Sequence, residues 1–341
     1  ILKGLKLIFP VVLFNGVYLA DFHNGKILEH TQFIDKTVIE SMLDLAKINS
    51  KIVCITPAMP TGSGINEMMK KIPERCYDVG IAEQHAVTLS AGMSCEGLIP
   101  FCVIYSTFLQ RAYDQIIHDV AIQNLNIIFC IDRAGIVGHD GPTHHGVYDI
   151  SFLRCIPNLT IVAPRNAQRL RDFLYTFQLR PHGPIAIRYP RGYSQIEKVN
   201  ESFEDLNLYR AYKIKSGKTI AVLSLGTLFE NVEEAINNSD FSEEFSHYSF
   251  EFVYPLDKKT LNDVFNNYSS VITIEEGAIK GGFGSALMEF AQTNNYMKKI
   301  KSLGVPHEFI THGDPDILYE SINLSSNKIQ KQIEEVLSSK K

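Results

Sequence analysis

The stretch from Asp78 to Arg111, DVGIAEQHAVTLSAGMSCEGLIPFCVIYSTFLQR, restricts the fold of this chain more than any other. Ile99–Tyr105 is a near-continuous apolar run, the pattern of a parallel strand covered on both faces. Before it, a small-residue helix runs from Glu83 to about Ser94, with Ala82, Ala86, Ser90 and Gly92 allowing neighbouring backbone to come close. After it, Phe108, Leu109, Ala112, Tyr113, Ile116, Ile117 and Val120 fall at helical spacing, with Ser106 placed to cap. Glu83 therefore stands at a strand–helix junction, where open α/β sheets keep their ligands.

The same alternation fills most of the chain. Lys36–Lys47 predicts a helix, Lys51–Thr56 a strand, 57–64 (PAMPTGSG) a turn, Ile65–Lys71 a helix and Cys76–Val79 a strand. Beyond Arg111 come a strand at Asn126–Ile131, a long polar loop at Asp132–Val147, a strand at Leu159–Ala163, a helix at Asn166–Leu179 and a strand at Ile185–Arg188. Residues 195–218 are charged and weakly periodic and read as a linker with an edge strand. A second alternation follows: strands at Thr219–Leu225, Ser249–Val253, Val271–Ile274 and Lys299–Leu303, and helices at Thr227–Asn237, Lys258–Asn267 and Ser325–Leu337. A glycine cluster, GGFGS, opens one more helix ending near Thr293. The expected fold class is α/β, with two doubly wound, mostly parallel-sheet domains at 35–194 and 219–341, joined by 195–218.

A length of 341 residues suits two such domains, and 45% hydrophobic with 21% charged residues is the balance of a globular protein. A formal charge of −5 gives no reason to expect nucleic acid or an anionic membrane as partner. The six cysteines form no C-x-x-C pair and read as buried free thiols. Residues 1–34 begin at Ile1 rather than Met and read as a leader: a linker remnant, a packing strand or a processing product. Their apolar part, interrupted by Pro10, Asn15 and Gly16, falls short of the roughly 20 residues of a membrane span.

Four long motifs occur in series: IAEQHAV (81–87), YSTFLQRAYDQ (105–115), IDRAGIVGHDGPTHHG (131–146) and RYPRG (188–192). Together they resemble the second half of the 1-deoxy-D-xylulose-5-phosphate synthase family, in the thiamine-diphosphate-dependent transketolase superfamily, from about Asp35 to near the C-terminus. The resemblance implies a pyrimidine-binding domain followed by a transketolase C-terminal-type domain. It also implies an enzyme that condenses pyruvate with glyceraldehyde 3-phosphate, with loss of CO₂, toward isoprenoid precursors, thiamine and pyridoxal.

The same resemblance implies the site. Glu83 would hold the aminopyrimidine ring of thiamine diphosphate and drive a proton onto its ring nitrogen. Phe108 would stack on that ring. Tyr105, Arg133 and Arg191, each near a strand's C-terminal end, would hold the substrate phosphate, a task for which arginine forks are suited. Asp140 and His144 would stand at the substrate end, His144 moving protons. No role carries onto His145, and His85 is expected to pack or bond structurally. Metal binding by the histidine-rich loop 138–146 is an open alternative, though a loop lacks the fixed spacing of helical sites. Arg111, on the polar face of its helix, could equally make an intersubunit or interdomain ion pair.

The superfamily binds the diphosphate through Mg²⁺ with a G-D-G motif, which this sequence does not contain. A separate N-terminal diphosphate-binding domain is therefore expected to carry Mg²⁺, and the chain is expected to be inactive alone and to form a homodimer. The location would be cytoplasmic in a bacterium and a plastid-type organelle in a eukaryote. Two other readings stay open: the beta subunit of a 2-oxo-acid dehydrogenase or split transketolase, and a non-catalytic dimerisation partner.

Overall fold

The computed structural model describes residues 32–194 and 199–339; most of the expected leader lies outside them. Two large sheets organise the chain. In the seven-stranded sheet the order is Phe252–Tyr254, Thr160–Val162, Ile185–Arg188, Ile128–Asp132, Ile99–Tyr105, Ile52–Thr56, Cys76–Asp78. Every neighbouring pair is parallel except the first. In the five-stranded sheet the order is Lys299–Val305, Ser270–Ala278, Ile220–Leu225, Phe245–Phe250, Tyr212–Lys215, with only the last pair antiparallel. Parallel strands covered on both faces explain the unbroken apolar runs.

Side-chain alternation along each strand feeds two layers of core. Cys102 and Ile104 face one layer, Phe101 and Val103 the other. The second layer packs under helices Ile34–Ile48 and Ala167–Leu179 through Met42, Leu45, Phe173 and Phe177. The first layer is shared between the sheets, because Ala221, Leu223 and Leu225 join it. Ile220 and Val222 face a third layer under helices Phe229–Asn237 and Ser326–Ser338. Burying each such Val, Leu, Ile or Phe contributes about 1.5–3 kcal/mol, so the shared layer joins the halves apolar face to apolar face.

Several expectations are corrected. The single strand expected at Ser249–Val253 is two strands in different sheets: Phe245–Phe250 belongs to the smaller sheet, and Phe252–Tyr254 crosses to edge the larger one. Glu251, fully buried at the crossing, explains the switch. Its carboxylate accepts from Arg169 Nε and Nη2 (2.9 and 2.6 Å), and its carbonyl accepts from Ala163 N (2.7 Å). The helix expected after Tyr105 is uneven, passing through a tight 3₁₀ turn at Gln110–Ala112 and a wide π turn at Ile116–Ala121. Ser106 makes no capping bond, and its hydroxyl is buried where a Cβ on Gly146 would meet it. Gly92 has open space where its Cβ would be, so it serves no close approach.

The loop read as polar carries buried Ile136, Val137 and Val147. Cys54, Cys76, Cys102 and Cys130 are buried, and burial pushes Cys102 up to about 12, but Cys95 and Cys155 are exposed. Among the described residues no helix is long and apolar enough to cross a membrane.

Candidate active site

The parallel strands Ile52–Thr56, Ile99–Tyr105, Ile128–Asp132 and Ile185–Arg188 end at one rim, and the candidate residues gather there. Glu83 is the first residue of helix Glu83–Cys95 and is only 4% exposed. The positive end of the helix favours a carboxylate at that position. Arg111 Nη1 donates to Glu83 Oε1 at 2.8 Å. The same guanidinium lies over the Phe108 ring, 5.5 Å from its centroid, so one planar cation bridges the carboxylate and the aromatic face.

From Phe108 a row of rings runs along the rim. Tyr105 stacks on Phe108 at 5.6 Å between centroids and 10° between planes, and His144 meets Phe108 edge-on at 5.5 Å and 71°. On the far side, Arg133 lies over the Tyr105 ring at 4.0 Å. Arg133 is buried, pairs with the adjacent Asp132 and donates from Nη2 to the carbonyl of Gly62 at 2.9 Å. Its backbone is left-handed, φ +58°, a conformation that costs an arginine about 1–2 kcal/mol. Strain of this kind persists where surrounding contacts hold a side chain in a required place. Gly62 is required as glycine, because a Cβ there would overlap the Tyr105 hydroxyl.

Asp140 and Arg191 form a separate, partly exposed pair, Nη1 to Oδ2 at 2.8 Å. Arg191 is thus tied to the site through Asp140, on the same loop as His144. His144 is half-buried, with Nδ1 2.9 Å from the Thr143 hydroxyl. His145, by contrast, is buried and structural. Its Nδ1 accepts from Val137 N at 3.1 Å, which makes Nε2 the donor to Thr311 O, also 3.1 Å away. Both nitrogens are thereby occupied, which removes His145 from any metal-ligand set. His85 is exposed, which corrects the packing half of the expectation that it packs or hydrogen-bonds structurally.

Sequence reasoning missed the partner of Glu83. Arg111 lies 28 positions downstream on another element, and no spacing rule links the two. The bond to Glu83 lies within one domain, so it is not the interdomain pair considered for Arg111.

Two family models match, and together they span most of the chain: the transketolase pyrimidine-binding domain over residues 34–195, and the transketolase C-terminal domain over residues 210–329. The chain belongs to the transketolase family. This transketolase-family chain is similar to the curated 1-deoxy-D-xylulose-5-phosphate synthase of Cytophaga hutchinsonii, at 48% identity over 297 residues, covering 86% of the chain and 46% of that relative. The synthase of Phocaeicola vulgatus is 46% identical over 293 residues, covering 85% and 46%. That of Aquifex aeolicus is 42% identical over 329 residues, covering 96% and 52%. The chain thus spans about half the length of the curated relatives it matches.

Among solved structures, a chain described as "Split gene transketolase, inactive beta4 tetramer" shares the fold at TM-score 0.77 and 24% identity, covering 90% of this chain and 98% of that one. The transketolase of Campylobacter jejuni shares it at TM-score 0.73 and 18% identity, covering 89% and 47%.

Proposed function

We propose that this chain supplies the pyrimidine-binding and C-terminal domains of a 1-deoxy-D-xylulose-5-phosphate synthase. The whole enzyme would transfer a two-carbon unit from pyruvate, with loss of CO₂, to glyceraldehyde 3-phosphate. The observation that carries this reading is the buried Glu83 carboxylate at the head of the Phe108–Tyr105–Arg133 row, with His144 edge-on to Phe108. The similarity to curated synthases extends over the same residues.

The residues fit one end of thiamine diphosphate. This chain already holds a planar hydrogen-bond donor, the Arg111 guanidinium, against both the Glu83 carboxylate and the Phe108 ring, the two contacts an aminopyrimidine needs. When bound, the cofactor supplies the carbanion chemistry of the reaction. Glu83 would hold the proton at the pyrimidine ring nitrogen, its burial excluding competing water. Phe108 would fix the ring's plane. His144 stands beside Phe108 as the proton carrier for substrate oxygens. Arg133, held by Tyr105, Asp132 and Gly62, offers a fixed cation to the aldehyde's phosphate, and Arg191 and Asp140 bound the outer end. We assign the diphosphate and its Mg²⁺ to a separate domain, and the working enzyme to a homodimer.

The test is reconstitution. The chain is combined with the diphosphate-binding half of a curated relative, Mg²⁺ and thiamine diphosphate, and CO₂ release from pyruvate is followed with and without glyceraldehyde 3-phosphate. Release that depends on the complete mixture and yields the five-carbon product supports the proposal. An assembled complex inert toward both substrates contradicts it.

A further inference from the structure

The loop 133–147 carries Arg133, Asp140 and His144, yet much of what holds it comes from the other half of the chain. Ile136 and Val147 pack into the hydrophobic layer of the smaller sheet. Three neutral hydrogen bonds tie the loop to that half: Ala278 N to Val147 O (2.8 Å), Gly313 N to Gly138 O (3.3 Å), and His145 Nε2 to Thr311 O (3.1 Å). The fourth tie is a carboxylate. Glu276, buried at 4% exposure near the end of strand Ser270–Ala278, accepts the Ile136 N–H through Oε1 at 2.7 Å.

The surroundings of Glu276 are built for this contact. Tyr319 donates its hydroxyl to the same Oε1. Arg188, itself paired to Asp149 at 2.9 Å, donates to the Glu276 backbone carbonyl at 3.0 Å and so fixes the strand beneath. On the loop side, Gly135 has φ +82°, and a Cβ there would run into the Glu276 carboxyl group. The side chain is therefore buttressed from its own strand, from helix Pro315–Ser321 and from the loop it holds.

Gly135 and Gly146 bond reciprocally, N to O, at 2.7 and 2.8 Å and close the loop's neck. Fixing Ile136 at that neck sets where residues 138–145 project. We propose that Glu276 is a positioning residue: by holding the Ile136 amide it sets the register of the loop that presents Asp140 and His144 to substrate. The inference rests on the proposed function only for the identity of the substrate. The mechanical claim stands on this chain alone. The Glu276 Oε1 accepts from both the Ile136 amide and the Tyr319 hydroxyl in a buried setting, so losing it leaves a buried amide unpaired and should loosen the loop without unfolding either sheet.

The test has two arms. Amide hydrogen exchange is measured in the full chain and in Glu276→Ala, Glu276→Gln and Tyr319→Phe. In Glu276→Ala, amides of 136–146 should exchange at least about tenfold faster while those of strand Ile220–Leu225 keep their rates. Glu276→Gln, which keeps an acceptor oxygen, should recover most of the protection. Tyr319→Phe should move the same amides by a smaller factor, and it decides the matter if Glu276→Ala does not fold.

In the assembled enzyme, Glu276→Ala should raise KM for glyceraldehyde 3-phosphate about tenfold with a lesser change in kcat, and Glu276→Gln should restore it. Unchanged exchange in 136–146 overturns the proposal, as does a Gln variant as defective as Ala. If the wild-type assembly is inert, the functional reading fails, and the exchange arm still decides whether Glu276 positions the loop.

Discussion

Arg111 and Glu83 sit on different elements and meet in a 2.8 Å hydrogen bond in which the carboxylate is buried and the guanidinium is half in water. The asymmetry matters. The helix N-terminus still favours the Glu83 carboxylate when the guanidinium leaves, and a half-exposed arginine changes partners at small cost. Screening of the exposed cation limits the pair to about 1 kcal/mol of stability. Arg111→Ala should therefore lower the urea midpoint only slightly, while Glu83 stays buried. A loss several times larger would show that the pair is structural.

Arg133 is the most constrained cation of the site, in both backbone and side chain. Arg133→Lys keeps the charge but loses the planar face on Tyr105 and the fork that reaches Gly62 and Asp132 together. In the assembled enzyme this variant should raise KM for the aldehyde phosphate by about tenfold or more and leave pyruvate decarboxylation nearly unchanged. Equal loss on both substrates would move Arg133 away from the phosphate.

Stability should depend on pH through Glu275. This residue is buried on strand Ser270–Ala278 and accepts amide bonds from Phe283 and Gly284 at 2.7 and 2.8 Å. Burial outweighs those amides and raises its pKa from the ordinary 4.5 to about 7. A raised folded value means that the folded state binds the proton more tightly. The contribution is fully present below pH 4.5 and is lost as pH rises through about 7. Relative to Glu275→Gln, the wild type should lose up to about 3 kcal/mol between about pH 5 and 8, read from urea titrations. A gap that does not vary with pH contradicts this.

The two sheets should unfold together. Glu251 joins strand Phe252–Tyr254 to Arg169 and to the Arg165 amide (3.2 Å), and the hydrophobic layer between the sheets is shared. Glu251→Ala strands a largely buried arginine and should cost about 3–5 kcal/mol. Far-UV circular dichroism and tyrosine fluorescence should give coincident single transitions in the wild type. Two separated transitions would show that the halves are independent.

The periodicity of Ile99–Tyr105 and the run of strand–helix alternations were enough to read a parallel α/β architecture, because strands buried on both faces leave long apolar runs. Helices Ile65–Lys71 and Lys258–Asn267 and strand Ile185–Arg188 have the bounds expected of them. The crossing of Phe252–Tyr254 was hidden because FEFVY reads as one strand; only the buried Arg169–Glu251 pair separates the two registers. In the site, residues carried by contiguous motifs were readable. The Arg111–Glu83 and Glu276–Ile136 contacts span 28 and 140 positions, and nothing in local pattern encodes such distances.

The most direct measurement is hydrogen–deuterium exchange at the thiazolium carbon of thiamine diphosphate in the assembled enzyme, comparing wild type with Glu83→Gln. If Glu83 holds the proton at the pyrimidine, the Gln variant should exchange at least about a hundredfold more slowly while still binding the cofactor. Equal exchange rates in the two proteins would contradict the role of Glu83 and the function built on it.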